Sequence, residues 1–176
     1  MGKCGTKWLQ MGKNVLVLSS KYTQVLHMTS FVGDYTGKID TKGRVVFPSA
    51  LKKQMQGASV EKFVIKKDIF EKCLIIYTTE EWERQNTILR EKLNPYNKEH
   101  NNFLREYYRG TVEVNLDSNN RILLPARLLE HAGIEKEIYF SGQDKKIEIW
   151  SKEIFEKQIQ EPDDFASLAE KILGGE

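Results

Sequence analysis

The 176-residue chain has a mass of 20.5 kDa, and 40% of its residues are apolar while 30% are charged. This composition excludes a largely disordered protein, and because no run of about 18 apolar residues occurs, it also excludes a helical membrane protein. The net charge of +2 does not indicate a nucleic-acid partner, and two cysteines, which suit a reducing cytoplasm, are too few for a disulfide scaffold or a four-thiolate zinc site.

Residues 1–27 are predicted to form an N-terminal extension. They contain four lysines and no acidic residue, and their apolar stretch over 15–18 is too short for a secretory signal. Because Met28 begins the patterned part of the chain, we expect a flexible extension or the product of an upstream start codon. The alternative interpretation is an arm that takes part in assembly or docks on an anionic partner.

The middle of the chain contains one pattern twice. Residues 40–51 match residues 117–128 at an offset of 77, with four of the twelve positions identical and most of the others similar. The match resumes later in each copy at an offset of 73, where 74–78 corresponds to 147–151. Repetition over this length indicates two copies of one supersecondary unit that pack together.

Each copy predicts the same elements in the same order: a strand, a tight turn, a second strand, a short helix, two further strands and a closing helix. In the first copy the strands are predicted at 35–39, 44–47, 62–66 and 73–77, and the helices at 49–56, ending at Gly57, and 80–93. In the second copy the strands are predicted at 111–116, 121–124, 137–141 and 147–150, and the helices at 126–132 and 151–160. The second strand of each copy is expected to be mostly buried.

These elements predict an α+β fold in which two pseudo-symmetric β-hairpin and helix repeats interleave in one small β-barrel with peripheral helices. The chain then divides into five segments: the extension 1–27, the first repeat 28–95, a linker 96–109 with a helix over 98–108, the second repeat 110–160, and an acidic tail 161–176 with a short helix. The apolar spacing of the tail helix indicates docking on the body or on a neighbouring subunit.

The tight turn is the most distinctive feature of each repeat. Asp40 and Asp117 can each hydrogen-bond to the backbone of their own turn, and Gly43 and Asn120 can adopt the left-handed conformation. An arginine follows in both copies, and its planar guanidinium suits a phosphate or the edge of guanine. The alternative is that each aspartate pairs with its arginine only to hold the turn. The first turn is the more basic, and four further cations could support an anionic partner: Lys38, Lys52, Lys53 and Arg127.

No residue pattern indicates catalysis. The three histidines do not stand at metal-ligand spacing, and the chain has no nucleophile elbow, phosphate loop or dinucleotide fingerprint. We therefore expect no enzyme, no metal, no cofactor and no small-molecule substrate. The aromatic residues lie at strand ends and on helix faces, which favours packing in the core or at a subunit interface over stacking on nucleic-acid bases.

Over residues 28–160 the sequence resembles the MraZ family of bacterial transcription regulators, which is related to the AbrB-like swapped-hairpin DNA-binding proteins. The resemblance rests on seven stretches, which are 31–35, 40–48, 73–77 with Trp82, 103–105, 117–125, 132–133 and 148–150. One departure is Asn120, which stands where the second motif of the family usually has glycine.

The resemblance implies a barrel built from two halves and a cytoplasmic, nucleoid-associated repressor without enzymatic activity. It also implies a ring-shaped homo-oligomer that binds direct repeats of double-stranded DNA upstream of the division and cell-wall gene cluster. The DNA-contacting residues that it implies are Thr41, Lys42, Gly43, Arg44, Ser118, Asn119, Asn120 and Arg121. The residues leave another class open, a ring-forming protein-interaction or antitoxin-like module without sequence-specific DNA binding.

Overall fold

The computed structural model describes residues 29–55, 62–158 and 162–174. The expectations for residues 1–27, for Gly57 and for the end of the helix predicted over 151–160 lie outside these residues. The described strands are β1 (Phe31–Lys38), β2 (Arg44–Val46), β3 (Lys62–Lys67), β4 (Leu74–Thr78), β5 (Val112–Asn115), β6 (Arg121–Leu123), β7 (Glu137–Asp144) and β8 (Lys146–Ser151). The described helices are α1 (Ser49–Gln54), α2 (Thr79–Lys92), α3 (Lys98–Tyr108), α4 (Ala126–His131), α5 (Lys152–Gln158) and α6 (Pro162–Leu173).

Both sheets contain strands from both repeats, so the predicted interleaving is confirmed. Six strands form an antiparallel sheet in the order β1-β7-β8-β4-β3-β5, and β2 pairs with β6 in a separate two-stranded ribbon. Each terminal strand of the large sheet pairs with a strand of the other repeat. No described pairing joins β1 to β5, so the sheet is open in this order and closure into a barrel stays a prediction.

The pairing registers obey a pseudo-twofold symmetry. At the centre of the large sheet Leu74 lies opposite Ile149 and Ile76 lies opposite Ile147, which is the same pair after the repeats are exchanged. The ribbon shows the same relation, because Arg44 lies opposite Leu123 and Val46 lies opposite Arg121. The α+β architecture therefore consists of two equivalent units related by one approximate axis.

Alternation along the strands builds the core between the large sheet and the ribbon. Its inner face contributes Phe63, Ile65 and Phe140, which are buried against Val45 and Ile122 of the ribbon. The other face is covered by helices and is also largely buried, which explains the continuous apolar runs of β4 and β8.

The second strands were predicted at 44–47 and 121–124 to be mostly buried, and Phe47 and Leu124 at their ends are in the core, but the prediction is wrong for β2 and β6 as the structure bounds them. Only the middle residue of each strand, Val45 or Ile122, enters the core, whereas Val46 is 60% exposed and Leu123 is 53% exposed. A two-stranded ribbon has one face on the core and one face in water, so period-two alternation leaves every second side chain outside. The apolar composition of the strands concealed this alternation.

The first strand is longer than predicted, since it begins at Phe31 rather than Tyr35. It pairs with β7 over eight residues, and Gly33 lies opposite Gly142 in this pairing. A Cβ atom at Gly142 would lie 2.9 Å from the backbone carbon of Phe31, so the two strands approach closely here. Glycines lack the side chains on which strand prediction depends, and the extra pairs were therefore missed.

Helix positions follow the sequence closely. The linker helix α3 covers the predicted residues, and α2 begins after Thr78, whose Oγ1 accepts a hydrogen bond of 3.3 Å from the backbone N–H of Glu81. The tail contains α6, as the spacing of its apolar residues indicates. None of the described helices combines the length and the hydropathy that crossing a bilayer requires.

Candidate nucleic-acid interface

The turn between β1 and β2 is built around the carboxylate of Asp40. Its Oδ1 accepts hydrogen bonds from the backbone N–H groups of Lys42 and Arg44, both at 2.9 Å. Its Oδ2 accepts a hydrogen bond from Nε of Arg44 at 2.8 Å and lies 2.7 Å from Nη2 of the same guanidinium. The backbone closes the turn, because Gly43 N–H donates to the carbonyl of Asp40 at 2.9 Å. One carboxylate therefore fixes both the turn and the arginine side chain.

The second turn repeats this geometry. Oδ1 of Asp117 accepts from the N–H groups of Asn119 and Arg121 at 2.8 and 2.9 Å, and Oδ2 binds Nε and Nη2 of Arg121 at 2.8 and 2.7 Å. Asn120 has a φ of 55°, close to the 78° of Gly43, so the predicted left-handed backbone is confirmed in both turns. The departure of Asn120 from the glycine of the family pattern leaves the turn intact.

The aspartate–arginine pairs that the sequence left as an alternative are therefore formed. Each pair uses Nε and Nη2 of its arginine to hold the turn, and Nη1 has no hydrogen-bond partner among the described residues. The hydrogen bond from Arg44 lowers the pKa of Asp40 to about 2, and the equivalent bond from Arg121 lowers the pKa of Asp117. Both carboxylates are thus ionised at neutral pH, and each guanidinium charge is balanced locally.

The ribbon places the two turns at opposite ends of one outward face. Because directly opposite residues of an antiparallel pair point to the same side, Arg44, Leu123, Val46 and Arg121 share the face that points away from the core. Each strand contributes three residues, so the turns are separated by roughly 10 Å along the ribbon. The arginines border a small exposed apolar surface between two turn tips.

The tips themselves are exposed and polar. Thr41 and Lys42 are exposed in the first turn, as are Ser118 and Asn119 in the second. Among the described residues no side-chain partner holds Lys42 or Asn119, which occupy equivalent positions of the two repeats. The side chains of Lys42 and Asn119 are therefore available to bind a ligand, whereas the guanidinium groups of the two arginines are bonded to the aspartates of their turns.

The four supporting cations differ in their surroundings. Lys38 lies 3.5 Å from Glu137, so its charge is partly balanced. Lys52 of α1 donates from Nζ to the side-chain carbonyl of Asn120, a contact between the first repeat and the second turn that the sequence did not predict. Lys53 and Arg127 are exposed and form no ion pair within the described parts of the chain. Only Lys52 is therefore tied to a turn.

A groove runs beside the second tip. Its volume is about 660 Å³, and it is lined by residues of β1, by the segment 46–50 and by Lys52, Asn119 and Asn120. Asn119 and Lys52 both line this groove. Lys52 and Asn120 are 68 residues apart, and the sequence gave no signal of their contact because it depends on the interleaving of the repeats.

The aromatic residues pack against one another. Trp82 of α2 stacks on Tyr107 of α3, with ring centroids 5.9 Å apart and planes at 5°, and it also contacts Tyr77 and Tyr108. On the second repeat Trp150 contacts Phe155 at 5.9 Å. The expectation of packing rather than base stacking agrees with these contacts.

Comparison with known proteins gives a consistent family. The family model described as "MraZ protein, putative antitoxin-like" matches the chain twice, over residues 30–106 and 107–173. These two matches correspond to the two interleaved repeats.

Relatives named "Transcriptional regulator MraZ" are similar over most of the chain. The protein of Christiangramia forsetii is 41% identical over 152 residues, which is 85% of this chain and 96% of the relative. The protein of Bacteroides fragilis is 38% identical over 146 residues, with coverage of 83% and 92%. A Thermoanaerobacter protein is 38% identical over 142 residues, with coverage of 80% and 95%. The duplicated turn, the double family match and these relatives together show that the chain belongs to the MraZ family.

Proposed function

We propose that this chain is a cytoplasmic transcription regulator that binds double-stranded DNA with the two turn tips of the β2–β6 ribbon. In this proposal it acts as a nucleoid-associated repressor, assembles into a homo-oligomeric ring, and binds direct repeats upstream of division and cell-wall genes. The observation that carries the proposal is the placement of two equally braced turns, with free polar tips, at the two ends of one exposed face.

The roles of the turn residues differ. Lys42 offers a cation that no described carboxylate neutralises, and Asn119 offers an amide that can bind a phosphate or the edge of adenine. Arg44 and Arg121 hold the tips in position through their aspartates and keep Nη1 for one further contact each. Lys52 adds positive charge beside the second turn.

Each chain has few contacts, so affinity depends on repetition. One molecule that neutralises two or three phosphates binds weakly at physiological salt. A ring that presents many copies to repeated DNA boxes gains effective concentration with every additional contact. Assembly is therefore part of the proposed mechanism.

The proposal predicts that Lys42→Ala and Asn119→Ala weaken DNA binding without unfolding the turns, because neither side chain supports the fold. Fluorescence anisotropy against DNA from upstream of the native gene, over a salt series, measures this. We expect Lys42→Ala to reduce the slope of log affinity against log salt by about 1 for each phosphate that the variant no longer neutralises. Lys92→Ala, which changes an exposed lysine at the end of α2, is the matched control and should bind like the unaltered protein.

Arginine variants serve a different purpose. Arg44→Ala and Arg121→Ala remove the brace of the turn as well as a guanidinium, so their binding must be compared with their thermal unfolding. If the unaltered protein does not prefer its own upstream DNA to a scrambled sequence, the regulator proposal is wrong. A protein-interaction or antitoxin-like role would then take its place.

A further inference from the structure

The tail helix α6 leaves its apolar stripe in water. Phe165, Leu168 and Ile172 recur at intervals of three and four residues, and their exposed fractions are 73%, 52% and 67%. Leu173 beside them is 82% exposed. A helix of twelve residues is marginal in water by itself, and an exposed stripe of this kind marks a docking element. The helix therefore needs a surface to cover it.

A groove elsewhere in the chain has the matching chemistry. It lies between the β3–β4 turn and α3, has a volume of about 340 Å³, and is lined in part by Ile69, Phe103 and Tyr107. Ile69 is 54% exposed and Phe103 is 40% exposed, so its apolar floor is open. Described residues of α6 do not line it. No residue in the described part of the chain therefore covers the stripe or the groove.

One cation of the groove, Lys67, has a charge complementary to that of the α6 segment. Besides the buried Lys66, the groove is lined by two cations, Lys67 and Arg109, and by two carboxylates, Asp68 and Glu106, and Arg109 lies 2.8 Å from Glu106, which balances its charge. Burial, with the charges of Lys67 and Lys72, lowers the pKa of His131 in the groove wall. Lys67 has no carboxylate within ion-pair distance in the part of the chain that the structure describes. The α6 segment is acidic, since residues 162–173 contain three acidic residues and one lysine.

The groove also contains an unsatisfied polar atom. Nε2 of His131 is buried and has no hydrogen-bond partner among the described residues. An incoming helix would bury the apolar floor of the groove next to this histidine. The spacing of Phe165, Leu168 and Ile172 matches the anchor pattern of helices that bind in apolar grooves.

We propose that α6 of one molecule docks in the groove between the β3–β4 turn and α3 of a second copy of this chain. The contact uses different surfaces on the two molecules, so it generates a closed ring when the rotation closes and a filament when it does not. It rests on the ring assembly in the proposed function and names the contact that would form it.

Site-directed cross-linking tests which surfaces meet. In a Cys4→Ser background, chains carrying Leu168→Cys are mixed with chains carrying Ile69→Cys and oxidised. We expect a disulfide between the two engineered cysteines, because stripe and groove meet between copies, whereas the native Cys73 is buried. Glu170→Cys, an exposed position outside the stripe, is the matched control and should cross-link at least roughly tenfold less.

Sedimentation of the full-length protein tests the energetic role. Leu168→Asp places a carboxylate in the apolar contact and should weaken assembly roughly tenfold or more, and Lys67→Glu should weaken it through the groove. Lys171→Asp, which introduces the same carboxylate outside the stripe, should assemble like the unaltered chain. Circular dichroism confirms that each variant keeps its fold.

Three results would overturn the inference. The first is that Leu168→Asp assembles as well as Lys171→Asp. The second is a disulfide that forms only when both cysteines are on the same chain, which would show docking within one molecule. The third is that the unaltered chain is monomeric and α6 binds only a foreign protein.

Binding to DNA with a single box separates this inference from the proposed function. Leu168→Asp chains that dissociate from one another and still prefer this DNA to a scrambled sequence leave the regulator function standing. If the unaltered protein shows no preference for this DNA over a scrambled sequence, the regulator function is contradicted, whichever surfaces form the assembly.

Discussion

Asp40 makes four contacts with groups that lie two to four residues ahead of it. Two are backbone N–H groups and two belong to the guanidinium of Arg44, and the hydrogen bond from that guanidinium is the main cause that lowers the pKa of Asp40 to about 2. Asp117 repeats the arrangement. Each turn therefore depends on one ionised carboxylate.

This dependence predicts an acid-sensitive stability. The pKa of Asp40 is lower in the folded than in the unfolded chain, so its contribution is complete above about pH 4 and is lost as the pH falls towards 2. In Asp40→Asn the free energy of unfolding should fall less between pH 5 and pH 2 than in the unaltered protein. Denaturant unfolding at a series of pH values measures the difference.

Asp34→Asn provides the control for this experiment. Asp34 is an exposed carboxylate on β1 that accepts no hydrogen bond from a described residue, so its removal should leave the acid dependence unchanged. Equal acid dependence in Asp40→Asn and Asp34→Asn would show that the brace contributes nothing to stability.

Much of this residue-scale detail could be predicted. The aspartate at the start of each turn and the residues at Gly43 and Asn120 indicate the hydrogen bonds and the left-handed backbone from local chemistry alone. The contact between Lys52 and Asn120 could not be predicted, because it joins a helix of one repeat to a turn of the other. Which contact of the arginine prevails, the aspartate or a ligand, is likewise set by geometry and not by spacing.

At the scale of single elements, β3 contains a cation where an apolar residue is expected. Lys66 is 3% exposed, and its Nζ lies 3.6 Å from the centre of the Tyr107 ring on α3. Burial lowers the pKa of Lys66 to about 8, although the charge of Asp68 partly opposes this. The contact with the ring offsets part of the cost of placing an ammonium group between sheet and helix.

Lys66→Met should therefore stabilise the protein at pH 7, by about 1–2 kcal/mol after the loss of the interaction with the ring is counted. The folded chain holds its Lys66 proton less tightly than the unfolded chain. The free energy of unfolding of the unaltered protein therefore rises relative to that of the variant as the pH rises from about 8 to about 10.5. Denaturant unfolding of both proteins from pH 7 to pH 10 measures the decrease in the difference between their free energies of unfolding.

The comparison removes the effect of other groups. Burial also raises the pKa of Tyr77, but this residue is present in both proteins and cancels in the difference. Lys67→Met, which changes the half-buried neighbour, is the control. The difference between its free energy of unfolding and that of the unaltered protein should not decrease over this pH range. If the difference in free energy of unfolding between Lys66→Met and the unaltered protein stays constant over the pH range, the assigned cost of the buried ammonium group is contradicted.

Element prediction succeeded where side chains signal their surroundings. The Thr78 cap and the apolar spacing of residues 98–108 predict α2 and α3 closely. Prediction was poorer for β1, whose glycines carry no side-chain pattern, and for β2 and β6, whose apolar outer residues concealed a face in water. In these cases the outcome depends on which strands pair with or pack against the strand, and the whole fold determines that, not the local sequence.

At the scale of the whole molecule, neither repeat has a complete sheet. The terminal strand β1 pairs only with β7, and β5 pairs only with β3, among the described strands, so each repeat supplies a partner for the other. The duplication in the sequence predicts two interlocked units, since a unit of this size buries too little surface alone. The order of the six strands did not follow from the pattern, because many orders satisfy the same alternation.

This interdependence predicts that residues 29–95 and 96–174, expressed as separate fragments, do not fold individually. Each fragment exposes strand edges and one side of the shared core. Mixed in equal amounts, the fragments should recover the cooperative thermal transition of the intact chain, and circular dichroism follows both steps. A cooperative transition in either fragment alone would show that one repeat is independent of the other.

The covalent link between the repeats also gives the ribbon a direction. A symmetric dimer of single-repeat chains would have to carry the same residue at both tips, whereas one chain carries Lys42 at one tip and Asn119 at the other while the braces stay equal. Each molecule thus has a lysine at one turn tip and an asparagine at the other. Molecules arrayed in one orientation would present the two turn tips in the same order at every step. Direct repeats of DNA have the same polarity, and inverted repeats lack it.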